Sequence, residues 1–425
     1  MFKPYHFSHI VQLLGGMLHG TTPADRQMDS YFRANRNMGA RDRRYVAETV
    51  YGCLRQRRLL EYVLNSETAP AAALIAAYLV AVEHWSLAEL ARVGYVAEKP
   101  AWAADALAAR VAALAHETLP LEVRANLPDW LATRLVAQLG ETETLALAEA
   151  LSKPATLDLR ANTLKRTRDE VAQDLAQEGY TAEPTPYSPL GLRRQDRAPL
   201  FTTRAFRDGH FEVQDEGSQL LSYLVSPRAG ERVVDFCAGA GGKTLHLGAL
   251  MENQGTLYAF DISPKRLENI KQRLRRAGLH NVRVQHISHE NDAAVKRLRG
   301  GIDRVLVDAP CSGTGTLRRN PDIKWRPIDL DTITRTQAAI LDAAARLVKP
   351  GGRLVYATCS ILREENEAIV EAFLAAHPEF HALPAADVLN NAGIDVPGVE
   401  HYLRLYPHRH GTDGFFGAVL ERNLD

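Results

Sequence analysis

Two cysteines and one aspartate occupy positions where an alternating series of strands and helices would place reactive groups. Asp308 and Cys311 share one short turn after an apolar run, and Cys359 ends the next such run. A thiolate can add to carbon 6 of a pyrimidine, and carbon 5 then becomes able to accept a methyl group. A carboxyl group can hold a proton at the edge of the base, and a second thiol can assist departure of the product. Spacing alone does not tell which cysteine is the nucleophile, and a single free cysteine is more often a core residue.

A glycine-rich turn upstream of these residues predicts a nucleotide-binding site. An apolar, β-branched run ends at Asp235 and is followed by Gly239, Gly241 and Gly242, after which leucines recur at helical spacing. Glycines let the backbone pass close to a ligand, and free amides at the start of a helix attract polar groups. In a doubly wound sheet, such a turn binds a nucleoside, and an acid about 20 residues further on contacts the ribose. Asp261 satisfies that requirement.

A phosphate-binding P-loop is the main alternative for this turn. The triplet Gly242-Lys243-Thr244 matches the end of the motif G-x-x-x-x-G-K-[ST]. Asp308 closes a strand that could serve as the metal-binding strand of such a protein. The leading glycine of the motif falls on Cys237, however. The turn therefore favours a nucleoside over a polyphosphate.

Strand and helix patterns alternate from residue 231 onward, which indicates a doubly wound, mainly parallel α/β sheet with helices on both faces. Apolar runs predict strands at 232–236, 256–261, 282–286, 304–308, 352–358 and 415–421. Helical periodicity predicts helices at 264–277, 331–348 and 363–375. Ligands of such sheets bind at the carboxyl ends of the strands. Because the glycine-rich turn, the two aspartates and both cysteines fall at strand ends, we expect one shared site.

Two further regions precede this sheet. Residues 1–150 carry apolar residues at helical spacing and alanine- and leucine-rich windows, which predict an all-α domain. Residues 155–215 contain a strand, a helix and a stretch broken by prolines, and we assign them to a small α+β connector. Residues 216–425 form the predicted Rossmann-like catalytic domain.

Two groups of basic residues are candidates for RNA contact. Each group is either a solvated surface or a site for the RNA backbone, because arginine pairs bidentately with phosphate. The group in the helical region consists of Arg33, Arg36, Arg41, Arg43, Arg44, Arg55, Arg57 and Arg58. The group that follows the turn with Cys311 consists of Arg318, Arg319, Lys324 and Arg326.

The composition limits the partners and the compartment. The chain has 51 basic and 51 acidic side chains, so a nucleic acid would have to be held by local basic patches. Its 4 cysteines form no C-x-x-C pair, and neither a disulfide framework nor a metal site is indicated. No apolar run is long enough to span a bilayer, and the first residues lack the apolar core of a signal peptide. We expect a cytoplasmic monomer with no metal and no membrane partner.

In combination, these motifs resemble the RNA 5-methylcytosine methyltransferases of the Sun (Fmu) family, in particular the bacterial small-subunit rRNA type. The resemblance extends from about Arg160 to the end of the chain, and no single motif would carry it. The segments concerned are 235–244, 308–315, 318–325, 358–360 and 413–416. The resemblance implies a Rossmann-like methyltransferase fold, S-adenosyl-L-methionine as cofactor and RNA as substrate.

The resemblance also implies a role for each site residue. Asp261 would hold S-adenosyl-L-methionine together with a turn that consists of Cys237, Ala238, Gly239, Ala240, Gly241, Gly242 and Lys243. Asp308 would lie against both the cofactor and the target base. Cys359 would be the nucleophile, and Cys311 would assist release of the product.

Two positions depart from the family pattern. A proline that is usual in the turn is Ala240 here, which should loosen the turn and leave its amides in place. The acid that normally follows the third strand is absent, and we expect Ser288 to replace it at the adenine.

The helical region resembles, more loosely, the NusB-like RNA-binding domain of the bacterial small-subunit rRNA member. The leading hypothesis is therefore methylation of cytosine carbon 5 in 16S rRNA, through a covalent bond between Cys359 and carbon 6. The alternatives are the same chemistry on tRNA, a P-loop ATPase with an RNA-binding appendage, and an RNA-binding assembly factor without methyl transfer.

Overall fold

A computed structural model describes residues 3–195 and 198–424, and the chain divides into two compact units. The first unit comprises Met1–Pro154 and Thr316–Pro327, and the second comprises Ala155–Gly315 and Ile328–Asp425. The first unit thus includes a short segment from the middle of the chain. Within the described residues, no helix has both the length and the apolar character needed to cross a membrane.

The first unit is helical, as predicted, and its core lies between the long helix α3 and its neighbours. Ile10, Val50 and Ile75 are completely buried there because apolar residues recur on one side of each helix. The helices are α1 (Pro4–His19), α2 (Ala24–Ala34), α3 (Ala40–Leu64), α4 (Ala71–Ala81), α5 (Leu87–Arg92), α6 (Ala104–Ala113), α7 (Leu121–Ala125), α8 (Asp129–Leu139) and α9 (Glu141–Leu151).

The segment 316–327 packs into this helical unit. The Trp325 side chain lies against the helical core, and its Nε1–H donates to the carbonyl oxygen of Leu54 at 2.7 Å. The buried Lys324 ammonium donates to the carbonyl oxygens of Arg55 (3.1 Å) and Asn126 (2.6 Å). Both residues therefore belong structurally to the helices.

The connector is a small antiparallel sheet with a helix against it. Helix α10 begins with a capping box, in which Thr167 and Glu170 satisfy each other's backbone amides. Its elements are β1 (Leu157–Ala161), α10 (Arg168–Gln177), β2 (Glu183–Pro184), β3 (Gly191–Arg194), α11 (Arg204–Arg207) and β4 (Phe211–Val213). The strand order is β2-β3-β1-β4.

The second sheet confirms the predicted doubly wound, mainly parallel fold class. Its strands are β5 (Arg232–Asp235), β6 (Thr256–Asp261), β7 (Val282–His286), β8 (Ile302–Asp308), β9 (Val348–Thr358), β10 (Phe380–Leu383), β11 (Leu403–Leu405) and β12 (Phe415–Arg422). The order is β10-β12-β9-β8-β5-β6-β7, and β11 pairs with β12. Strands β5 to β9 run parallel, whereas β12 is antiparallel to β9.

Helices cover both faces of this sheet and complete the α/β domain. They are α12 (Glu216–Val225), α13 (Gly242–Leu250), α14 (Pro264–Ala277), α15 (Ala293–Lys296), α16 (Leu330–Ala345), α17 (Glu367–Ala376), α18 (Ala385–Asn390) and α19 (Pro407–His410). Apolar residues of strands and helices form two cores, on opposite sides of the sheet. The sheet therefore lies between two layers, as the alternating pattern predicts.

Two local features differ from the predictions. The helix predicted at 331–348 ends at Ala345, because Val348 pairs with Ile302 and already belongs to β9. Strands β10 and β11 were not predicted, since each is too short to show a period-two pattern.

We predict that Trp325→Ala lowers the free energy of unfolding by about 2–4 kcal/mol, because a large ring leaves the helical core. Urea denaturation followed by circular dichroism measures this loss. Trp325→Phe keeps an aromatic ring and removes the N–H donor, so we expect its free energy of unfolding to fall by about 1 kcal/mol. Wild-type stability of Trp325→Ala would show that the segment 316–327 does not stabilise the helical unit.

Candidate active site

The glycine-rich turn connects β5 to α13 and is bonded to the end of β6. Gly239 and Gly241 have φ values of 55° and 86°, a region that favours glycine. The Gly239 N–H donates to Asp261 Oδ2 at 2.9 Å, and the Ser263 N–H donates to Asp261 Oδ1 at 2.7 Å. The carboxylate of Asp261 therefore fixes the turn against the neighbouring strand end.

Two arginines donate hydrogen bonds to backbone carbonyl oxygens of the turn, and neither was predicted from the sequence. Arg273 of α14 donates to the carbonyl oxygen of Ala240, and its Nη2–H donates to Glu212 Oε2 at 2.9 Å. Arg160 of β1 donates to the carbonyl oxygen of Gly242 at 2.9 Å. Burial lowers the pKa of Arg160 to about 10, which still leaves its guanidinium charged at neutral pH. The carbonyls that flank the turn are thus held by two guanidinium groups.

Three carboxyl groups lie at strand ends around the turn. Asp235 ends β5 and is buried; its Oδ2 accepts from the Thr244 hydroxyl at 2.6 Å, and burial raises its pKa to about 7. Asp261 ends β6 and Asp308 ends β8. S-adenosylmethionine carries an ammonium group and ribose hydroxyls, which are hydrogen-bond donors. A ring of acceptors fits those groups better than it fits a polyphosphate.

Lys243 forms an ion pair with Asp308, in which Nζ lies 2.7 Å from Oδ2. Burial disfavours the ammonium, yet the Asp308 carboxylate raises the pKa of Lys243 above its ordinary value. The charge that a P-loop would offer to a phosphate is therefore compensated by a carboxylate.

In residues 3–195 and 198–424, no cluster of three or more His, Cys, Asp or Glu could hold a metal ion.

The structure brings the two predicted thiols together. Cys311 follows β8, Cys359 follows β9, and their sulfur atoms lie 3.3 Å apart. The bond to Cys359, together with burial, raises the pKa of the Cys311 thiol well above its ordinary value. The raised pKa favours the protonated form of Cys311, and either sulfur can be the donor of the hydrogen bond between them. The thiol of Cys237 is also buried, which raises its pKa and makes it a poor nucleophile.

Backbone contacts at Gly315 tie the loops of the two thiols together. The Gly315 N–H donates to the carbonyl oxygen of Cys359 at 2.9 Å, and the Gly414 N–H donates to the carbonyl oxygen of Gly315 at 2.8 Å. A Cβ at Gly315 would lie 2.1 Å from the Gly414 oxygen. Only glycine allows this approach, so the motif with Gly414 is a third part of the site.

An acid, Asp292, lies beside Ser288 in the loop that follows β7, later in the chain than expected. Ser288 is exposed, and its N–H donates to Asp292 Oδ2 at 3.0 Å. Asp292 also caps α15. Asp292 was not predicted because it is not adjacent to β7; the capping pattern before α15 was the available signal. Ile262, which follows Asp261, is 65% exposed and forms an apolar surface beside the turn.

The structure corrects the interpretation of the basic residues after Cys311. Arg318 and Lys324 are buried within the first unit, and Arg326 lies 3.3 Å from Asp322. They form neither a solvated loop nor an exposed RNA surface. In the helical region, several arginines pair with acids: Arg33 with Asp29, Arg44 with Glu48, Arg57 with Glu61, and Arg58 with Asp129. Arg36 and Arg41 are exposed.

Comparison with known proteins places these features in one family. Residues 222–421 match 16S rRNA methyltransferase RsmB/F, and residues 127–199 match the ferredoxin-like domain of RsmF/B-like methyltransferases. A relative from Synechocystis sp., named probable ribosomal RNA small subunit methyltransferase B, is 37% identical over 73% of this chain and 70% of its own. The human 28S rRNA (cytosine(4447)-C(5))-methyltransferase is 33% identical over 69% of this chain and 38% of its own.

A solved structure extends the similarity to the whole chain. The crystallised protein PH0851 is 28% identical, with a TM-score of 0.78 over 99% of both chains. The match to the RsmB/F family includes the glycine-rich turn, Asp308 and both thiols. From the shared segments and the extent of the Synechocystis match, we conclude that the chain belongs to the RsmB/F family of 16S rRNA methyltransferases and is an S-adenosylmethionine-dependent rRNA (cytosine-C5)-methyltransferase.

Proposed function

We propose that this enzyme methylates carbon 5 of a cytosine in 16S rRNA through a transient bond between Cys359 Sγ and carbon 6 of the base. The observation that carries the proposal is the pair of sulfur atoms 3.3 Å apart, beyond the carboxyl ends of β8 and β9. The description of the matched family and the name of the Synechocystis relative support small-subunit rRNA as the substrate.

In this mechanism, each reactive side chain acts on a stated atom. The Cys359 thiolate adds to carbon 6, and the Asp308 carboxylate accepts a hydrogen bond from the N4 amino group, which holds the base in place. S-adenosylmethionine, when bound, supplies an electrophilic methyl group for carbon 5. Loss of the carbon 5 proton to water then restores the double bond and expels Cys359 as a thiolate. Cys311 donates a hydrogen bond to that leaving sulfur.

The cofactor would be held by the turn and by the neighbouring strand ends. The turn residues are Cys237, Ala238, Gly239, Ala240, Gly241, Gly242 and Lys243. Asp261 would accept from the ribose hydroxyls, and Ile262 would cover one face of the adenine. Ser288 would contact the adenine edge, with Asp292 fixing its backbone. The exposed apolar surface of Ile262 supports this arrangement, because a planar base would cover it.

The target base must be accessible outside a regular duplex. Stacking in A-form RNA shields carbons 5 and 6 from a thiol, so the cytosine must lie in a loop or be flipped out. We propose that the helical unit contributes phosphate contacts through the exposed Arg36 and Arg41. We also place the enzyme in the cytoplasm, because two neighbouring thiols stay reduced only in a reducing compartment.

We predict that Cys359→Ala abolishes transfer of labelled methyl groups from S-adenosylmethionine to unmodified 16S rRNA, because the proposed bond to carbon 6 is formed by the Cys359 sulfur. In Cys311→Ala, a protein–RNA adduct should accumulate on denaturing gels, since the leaving sulfur loses its hydrogen-bond donor. Purified tRNA is the substrate control. An adduct in Cys359→Ala would exchange the two roles, and transfer to tRNA in place of 16S rRNA would overturn the substrate assignment.

We predict that Arg273→Met weakens binding of S-adenosylhomocysteine about tenfold, which corresponds to ~1.4 kcal/mol. The Ala240 carbonyl would lose its charged donor, and this turn has no proline to restrain it. Isothermal titration calorimetry measures the dissociation constant. Arg275→Met is the matched control, since Arg275 lies on the same helix, is exposed and bonds only to a carbonyl of that helix. Equal affinity of both variants would exclude a role for Arg273 in holding the turn.

A further inference from the structure

We infer that Glu365 is a positioning residue that holds the two catalytic thiols together by binding both loops that carry them. It does not itself touch the reacting atoms. The inference rests on the roles proposed above for Cys359 and Cys311, and the closing experiment separates its failure from theirs.

One carboxylate bridges the residues that follow each thiol. Oε1 of Glu365 accepts from the Ser312 N–H at 2.7 Å, and Oε2 accepts from the Ser312 hydroxyl at 2.5 Å. Oε2 also accepts from the Ser360 hydroxyl at 2.5 Å. Since Ser312 directly follows Cys311 and Ser360 directly follows Cys359, the carboxylate fixes the distance between the two loops.

Further bonds extend the network to the other side of each thiol. Gln337 of α16 donates from Nε2 to Glu365 Oε1 at 3.1 Å and to the carbonyl oxygen of Pro310 at 3.0 Å. The Tyr356 hydroxyl donates to the carbonyl oxygen of Glu365 at 2.6 Å. Pro310 precedes Cys311, and Tyr356 lies on the strand that leads to Cys359. Each thiol is therefore restrained from both directions along the chain.

The burial of Glu365 argues for a specific role. Its side chain is completely buried, and the donors named here are an amide N–H, two hydroxyls and a carboxamide, all of them neutral. Burying a carboxylate costs free energy that neutral donors repay only in part. A neutral residue of similar shape would avoid that cost. The acceptor capacity of an ionised carboxylate, which neither a glutamine nor an apolar residue has, is what the two loops use.

The charge of Glu365 has a second effect on the thiol pair. It lies close enough to Cys311 to contribute to raising the pKa of that thiol, after the bond to Cys359 and burial. A carboxylate on this side favours a protonated Cys311, which can donate to Cys359. The same network therefore restrains the loops of both thiols and favours Cys311 as the protonated member of the pair.

The test compares Glu365→Gln with wild type in the full-length enzyme. The amide keeps the shape but has one acceptor oxygen in place of two. An oxygen at the Oε2 position can still accept from both hydroxyls, but the bonds from the Ser312 N–H and from Gln337 to Oε1 are lost, which loosens the loop of Cys311. We expect kcat for methyl transfer to 16S rRNA to fall about 10- to 100-fold, as for an active-site misplacement of about 1 Å. The KM for RNA and the affinity for S-adenosylhomocysteine should stay within twofold. Glu371→Gln, at an exposed ion pair with Arg363, is the matched control and should resemble wild type.

Thiol labelling distinguishes positioning from general stability. Iodoacetamide should modify Cys359 faster than Cys311 in wild type at neutral pH, and mass spectrometry gives the ratio. In Glu365→Gln this ratio should fall at least fivefold, and its pH dependence should shift. If that variant fails to fold, Ser360→Ala removes the bond to Glu365, together with the contacts of that hydroxyl to Thr314 and to the Leu362 N–H, and keeps the carboxylate. It should show the same change to a smaller extent.

The outcomes separate the two ideas. Wild-type kcat and labelling ratio in a folded Glu365→Gln would overturn the inference, provided that Cys359→Ala abolishes transfer. Methyl transfer by Cys359→Ala would instead refute the proposed function itself. Loss of RNA or cofactor binding in Glu365→Gln, with an unchanged labelling ratio, would mean that Glu365 stabilises the fold and does not position the thiols.

Discussion

The register between β8 and β9 determines where the reactive sulfur atoms lie. Asp308 pairs with Ala357 across these parallel strands, so Cys311 and Cys359 follow paired positions by three and two residues. Parallel neighbours are separated by about 4.8 Å, and chains that leave the same edge start at that distance. A modest turn of each loop is then enough to bring the two sulfur atoms to 3.3 Å. A shift of β8 along β9, away from the pairing of Asp308 with Ala357, would move the two sulfur atoms apart.

The same edge determines the electrostatics of the site. β5, β6 and β8 are neighbours, and each ends in an aspartate. Three ionised carboxyl groups at one edge would repel each other, and each of them is stabilised by a different environment. Asp235 has a pKa raised to about 7 by burial, Asp261 accepts from backbone amides, and Asp308 pairs with Lys243. The three carboxyl groups therefore keep their acceptor oxygens, while protonation of Asp235 and the ion pair of Asp308 reduce the net negative charge at this edge.

Much of this arrangement follows from local sequence patterns. A β-branched run that ends in Asp235, followed by glycines and periodic leucines, specifies the strand, turn and helix that the structure contains. The positions of Asp261, Asp308 and both thiols follow from strand ends and parallel topology. These predictions succeed because they depend on neighbouring residues and on the direction of strands.

The residues that escaped prediction depend on partners far away in the chain. Lys324 has the composition of a surface residue, yet its ammonium binds the Arg55 and Asn126 carbonyls, roughly 200 or more positions away. Arg160 and Arg273 bind carbonyls, which leave no mark in a sequence because every residue has one. Glu365 follows the Cys359 motif closely, but only the folded loops show that it binds the Ser312 hydroxyl.

The segment 316–327 belongs to the helical unit, although it lies far from the N-terminal helices in the chain. The chain leaves the loop of Cys311 at Gly315 and packs Trp325 against the helical core. It binds two carbonyl oxygens of the helical unit through Lys324, and it returns to the second unit at Ile328. The N-terminal helices are therefore not a detachable module. A shortened enzyme without them would expose an apolar indole and leave a lysine without its carbonyl partners. Substitutions at the contact between the helical region and the segment 316–327 should therefore occur in both parts of the chain together.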